Sequence, residues 1–135
     1  MPKVTWSDNY SINVAEIDAQ HQKILELVND LHSAVESCID KEELREKLSA
    51  LVEFTDHHFS TEDRLMKKHG YPGFKGHHRE HRQLIGHLKE LVKAVSKGKR
   101  PTFYSDYDVS TDWALTHIRD YDSGLGVFLN SKGVY

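Results

Sequence analysis

The sequence predicts an all-α protein, an antiparallel up-down-up-down four-helix bundle preceded by an irregular N-terminal arm. Two observations carry that prediction. Apolar residues recur in alternating steps of four and three over three long stretches and, less cleanly, over a fourth, which is the period of a helix with one buried face. No segment sustains the apolar–polar alternation of a strand, and the valines fall into the helical period. Similar lengths and short connections then favour antiparallel neighbours.

Residues 1–16 read as the arm. The first helix, expected over 18–37, carries the seam Ile17, His21, Ile24, Val28, Leu31 and Val35. The second, over 41–69, carries Leu44, Leu48, Leu51, Thr55, His58, Glu62 and Leu65. Asp40 stands where an N-cap belongs, with Glu43 three residues on, and Gly70 and Pro72 stop the helix. The third, over 74–97, carries His77, His81, Leu84, Leu88, Leu91 and Val95, and Gly98 and Pro101 end it. Residues 98–108 read as a loop. The fourth helix, over 110–129, has Ser110 or Thr111 as a cap and the stripe Ala114, Ile118, Tyr121, Leu125 and Phe128.

The 135 residues make one domain with one core. A formal net charge of −3 with no basic stripe argues against a nucleic-acid partner. No apolar run approaches the roughly 18 residues of a membrane span, and the N-terminus lacks the apolar core of a signal peptide. The lone Cys38 has no internal disulfide partner, so a reducing cytoplasm is the expected compartment. The unusual quantity is histidine, ten residues scattered through the chain.

Several histidines occupy seam positions. A step of one residue is about 100° around a helix, so the seams select His58 and not His57, and His77 with His81 and not His78. His21 lies on the first seam, and Glu62 follows His58 by one turn. Buried without partners, such groups cost several kcal/mol, so they need each other, water or a metal. His117 and Asp122 flank the fourth stripe. Five residues correspond to about 140°, so they meet one centre only if the helix is distorted there or if an ion lies on each side. Imidazoles and carboxylates without thiolates point to zinc, iron, manganese or copper. Seven donors are too many for one such ion, so two metals bridged by carboxylates fit better. His32, His57, His69, His78 and His87 read as surface or flanking residues.

Together, "IDAQH", "HFSTED", "HREH" from His78 with His77 before it, and "WALTHIRDYD" resemble the hemerythrin family, specifically its bacterial single-domain members (bacteriohemerythrins). The likeness covers nearly the whole chain. It implies that His77, His81 and His117 bind one non-haem iron and His21 and His58 a second, leaving a position for O2. Glu62, Asp122 and an oxo or hydroxo group would bridge the pair. The implied function is reversible O2 binding for transport, storage or delivery to an oxygen-consuming enzyme, with no substrate transformed. Redox or O2 sensing, iron storage, and peroxide or nitric oxide reactivity at the same site are the alternatives. A cytoplasmic monomer is expected, without a sensor's output domain. The walls of a dry O2 pocket would be Ile24, Phe59, Trp113 and Ile118. Two positions depart from the family. Asp63 stands for a glutamate and is expected on the surface with little effect. Ala114 stands for a leucine and predicts a more open path to the iron, with faster autoxidation.

Rival readings fail on particular residues. "HHREH" has the H-x-x-E-H form of some zinc proteases, but that class needs a larger catalytic domain and a further downstream ligand, and Glu80 falls off the seam. A ferritin-like di-iron oxidase needs Glu-x-x-His, and no glutamate here has histidine three residues on.

Overall fold

The computed structural model describes residues 5–37, 39–98 and 112–135, with side chains in the last segment from Leu115 onward. Its helices form the antiparallel bundle that the seams predict. The first, α1, spans Ala15–Glu36, so it begins inside the expected arm. The arm holds one 3-10 turn, Asp8–Tyr10, and buries Ile12 and Val14. Asp18 in the first turn of α1 fastens it by accepting hydrogen bonds from Ile12 N–H at 2.9 Å and from the Ser11 hydroxyl. Asn13 takes φ +64°, a left-handed bend, and its carbonyl accepts from Asn130 Nδ2 at 3.0 Å.

Helix α2 spans Lys41–His69. Asp40 caps it as the sequence predicts, with Oδ1 accepting from Glu43 N–H at 2.9 Å. Gly70 closes it at φ +70°, where a side chain would be strained, and Tyr71 N–H returns to the Met66 carbonyl. Lys67, Lys68 and His69 in its last turn suit the negative end of the helix dipole. Helix α3 spans Phe74–Ser96. Residues 99–111, with most of the expected loop and the cap at Ser110 or Thr111, lie outside the described residues, as does Cys38.

The fourth helix differs from the expectation. It runs as α4 (Asp112–His117), a π-helical turn (Ile118–Asp122) and α5 (Ser123–Ser131). The π turn takes up one extra residue, and every later side chain slips by one position. From the π turn onward the buried residues are therefore Ile118, Asp122, Leu125, Gly126 and Leu129, while Tyr121 and Phe128 are only half-buried. Ser123 marks the wider turn: its N–H and its hydroxyl both donate to the Ile118 carbonyl five residues back.

The core has two apolar clusters. One joins Val28, Leu31, Leu44, Leu48, Leu51, Leu84 and Leu88, and the other joins Ile12, Val14, Ile17, Leu65, Met66, Leu125 and Leu129. Five buried histidines, His21, His58, His77, His81 and His117, lie between them with Glu62 and Asp122 as one polar layer. His32 corrects a sequence expectation: flanking the seam of α1, it falls on the buried side at 3% exposure.

Candidate metal centre

Five imidazoles and two carboxylates converge in the polar layer. His21 comes from α1, His58 and Glu62 from α2, His77 and His81 from α3, and His117 and Asp122 from the two sides of the π turn. All seven are buried, and Glu62 and Asp122 are wholly so. The π turn answers the spacing problem. Its ring closes over five residues, so His117 and Asp122 share a face, with Nε2 and Oδ1 3.1 Å apart.

All five imidazoles turn Nε2 inward. Glu62 Oε1 faces His77 and His81 at 3.2 and 2.8 Å, while Glu62 Oε2 faces His58 at 2.9 Å. Asp122 divides in the same way. Its Oδ1 lies 3.0 Å from His77 and 3.1 Å from His117, and its Oδ2 lies 2.9 Å from His21. Two donor groups result, Glu62, His77, His81, His117 and Asp122, and His21, His58, Glu62 and Asp122. Within each, the donor atoms lie within 4.8 Å of one another.

The donor set fits a metal. His21 Nε2, His58 Nε2, Glu62 Oε2 and both Asp122 oxygens have no aligned hydrogen bond among the described residues, although they lie close to one another. Their close approach without aligned hydrogen bonds is what a shared cation would relieve. A first-row ion holds such donors at about 2.1 Å, which sets neighbours at right angles about 3 Å apart. The shortest carboxylate contact of each imidazole falls between 2.8 and 3.1 Å.

The electrostatics show what a cation would replace. Burial disfavours the imidazolium of His21, yet the facing Asp122 and Glu62 carboxylates outweigh it and push its pKa up to about 9. The same contest pushes His117 up to about 10 and raises His77. At His58 burial wins and lowers the pKa. Burial would raise Glu62 and Asp122, but the surrounding imidazoles hold both well below the carboxylate range. Protons on these histidines thus balance two buried negative charges, the task a metal ion would take over.

A cavity of about 10 Å³ opens beside the His21–His58 side, lined by His21, Ile24, Leu25, His58, Phe59, His117 and Ile118. That is room for one very small molecule. Ile24, Phe59 and Ile118 were expected there. Leu25 and His117 were not. Trp113 and Ala114 lie within α4, but their side chains lie outside the described residues.

A second set of contacts reaches the outer face of the ligands. Gln20 Oε1 accepts from His58 Nδ1–H at 2.7 Å, and Gln20 Nε2 donates to Thr61 Oγ1 at 3.1 Å. Asp63 accepts from Nδ1–H of both His81 and His78. The expectation that Asp63 sits idle on the surface is therefore corrected: its side chain is 20% exposed and turned towards α3. Each residue adjoins a seam residue, Gln20 before His21 and Asp63 after Glu62, and that adjacency was the available signal.

Comparison with known proteins adds independent support. The family "Hemerythrin HHE cation binding domain" matches residues 13–128. A bacteriohemerythrin of Methylococcus capsulatus is 30% identical over 97% of this chain and 100% of its own length. A myohemerythrin of Sipunculus nudus is 26% identical over 87% and 86%. Among solved structures, a wild-type hemerythrin superposes with a TM-score of 0.82 at 30% identity, covering 95% of this chain and 98% of that one. A leucine-to-alanine variant of hemerythrin gives 0.83 at 32% identity over 96% and 98%.

Proposed function

The chain belongs to the hemerythrin family and binds O2 reversibly at a non-haem iron site; from that premise we propose that its seven buried donors hold two irons. His77, His81 and His117 would hold one ion and His21 and His58 the other, with Glu62 and Asp122 offering one oxygen to each. The observation that carries this reading is the division of each carboxylate. One oxygen of Glu62 and one of Asp122 face the three-histidine group, and their second oxygens face the two-histidine group. When bound, the irons supply the electrons that O2 takes up and returns.

The protein's part is placement and exclusion. Ile24, Leu25, Phe59 and Ile118 give the cavity apolar walls on the side with fewer donors, where a position is left for a diatomic ligand. Apolar walls would keep water from the site, which favours carrying O2 over turning over a substrate. Trp113 and Ala114 are assigned to the same pocket by the family resemblance alone. Delivery to an oxygen-consuming enzyme, as a cytoplasmic monomer, is the use we assign. No helix among the described residues is long and apolar enough to cross a membrane, and Val127 and Tyr135 are the only exposed large hydrophobics among them.

The test is iron stoichiometry together with O2 cycling. Two irons per chain and visible charge-transfer bands that appear with O2 and fade under argon are expected. One iron per chain, or bands that bleach irreversibly, would refute the reading.

A further inference from the structure

His81 is held more completely than its neighbours. Phe59 stacks face to face on its ring, with centroids 3.9 Å apart and planes 8° from parallel. Asp63 Oδ1 accepts from its Nδ1–H at 3.1 Å, and Asp63 Oδ2 is engaged by His78 Nδ1–H at 2.9 Å. With one face and the outer nitrogen fixed, Nε2 is left pointing into the donor cluster. The outer nitrogens of His21, His77 and His117 have no hydrogen-bond partner among the described residues. That of His58 meets the neutral amide of Gln20. Among the described residues, therefore, His81 alone of the five has an anion behind it. A carboxylate behind a ligating imidazole orients the ring and strengthens it as a donor.

We propose that Asp63 is a positioning residue of the metal centre. It keeps a proton on Nδ1 of His81, turns Nε2 towards the metal and strengthens that one donor, while His78 pins its second oxygen. The contacts on the two sides of the centre are thus unequal, charged behind His81 and neutral behind His58. The proposal rests on the assignment of His81 as a metal ligand.

Co(II) titration against a chelator tests it, with the wild-type chain and with Asp63→Ala, Asp63→Asn and Asp63→Glu. Asp63→Ala should bind one of two Co(II) ions about 10–100-fold more weakly, the usual cost of losing such an outer partner. Asp63→Glu should restore binding to near the wild-type value, and Asp63→Asn should fall between. A readout that a merely structural role would not move is the His81 ring itself. Nitrogen NMR should show Nδ1 protonated and hydrogen-bonded in the wild-type chain and in Asp63→Glu, and the hydrogen bond lost in Asp63→Ala. Two Co(II) ions bound by Asp63→Ala with unchanged affinity would overturn the positioning role alone. A wild-type chain that takes up no Co(II) would overturn the ligand assignment beneath it.

Discussion

Adjacent histidines on one helix meet opposite environments, and that makes them a controlled pair. His58 is 1% exposed and 2.9 Å from Glu62, whereas His57, about 100° further round, faces solvent. His58→Ala should leave the chain with one iron in place of two, while His57→Ala should keep both, as iron assay against protein concentration will read. Ala114 offers a second single-residue test. A leucine there should narrow the path to the iron, so Ala114→Leu should autoxidise more slowly than the wild-type chain in spectra followed under air. Equal rates would remove the idea. The period of the sequence sufficed for residues such as His58, because inward direction is what a seam records. It could not show Gln20 and Asp63, whose contacts run from the back of a ligand to a neighbouring helix. Nor did it show that His32 is buried, since a residue flanking the stripe can fall on either side of the boundary.

At the scale of elements, the fourth helix carries the largest departure from regularity. A stripe through Tyr121 and Phe128 and one through Asp122 and Leu129 both keep steps of four and three, so periodicity cannot choose between them. The five-residue gap between His117 and Asp122 was the one visible sign, and the π turn resolves it by widening the helix where both donors are needed. The slip also brings Gly126 inward against the arm. A Cβ built there would clash with the Ile12 carbonyl oxygen and lie 2.8 Å from the Ile12 side chain. The gain in helix propensity from Gly126→Ala is about 1 kcal/mol. The clash falls on backbone fixed by Asp18, and overpacking of this kind costs about 1–3 kcal/mol. Net destabilisation of about 1 kcal/mol is expected in urea denaturation, with the arm displaced and iron content unchanged. A stabilised variant would show that the arm is held less firmly than these contacts require.

At the scale of the whole molecule, a polar layer lies between two apolar clusters, and its charge must balance whether protons or metal ions supply the positive side. In the chelated protein, His21 with a pKa of about 9 and His117 at about 10 are protonated at neutral pH. Both pKa values lie above the unfolded value of about 6.5. Their contribution to stability is therefore fully present below that value and is lost as pH rises through 9 to 10. Glu62 and Asp122 are depressed, so their contribution is present above the unfolded carboxylate range near 4 and is lost in acid. A ligating imidazole must give up its proton, so metal uptake at pH 7 should release protons, close to one from each of these two histidines. Affinity should then climb with pH up to about 10. The metal-loaded chain gains from this rise while the chelated chain loses its imidazolium–carboxylate pairs. Their melting temperatures should accordingly diverge between about pH 6.5 and 9, with the metal-loaded form the higher. Calorimetric titration of Co(II) or Zn(II) in buffers of different ionisation enthalpy counts the protons, and thermal melts across that range read the gap. A gap that narrows with rising pH, or uptake without proton release, would show that the positive charge in this layer comes from elsewhere.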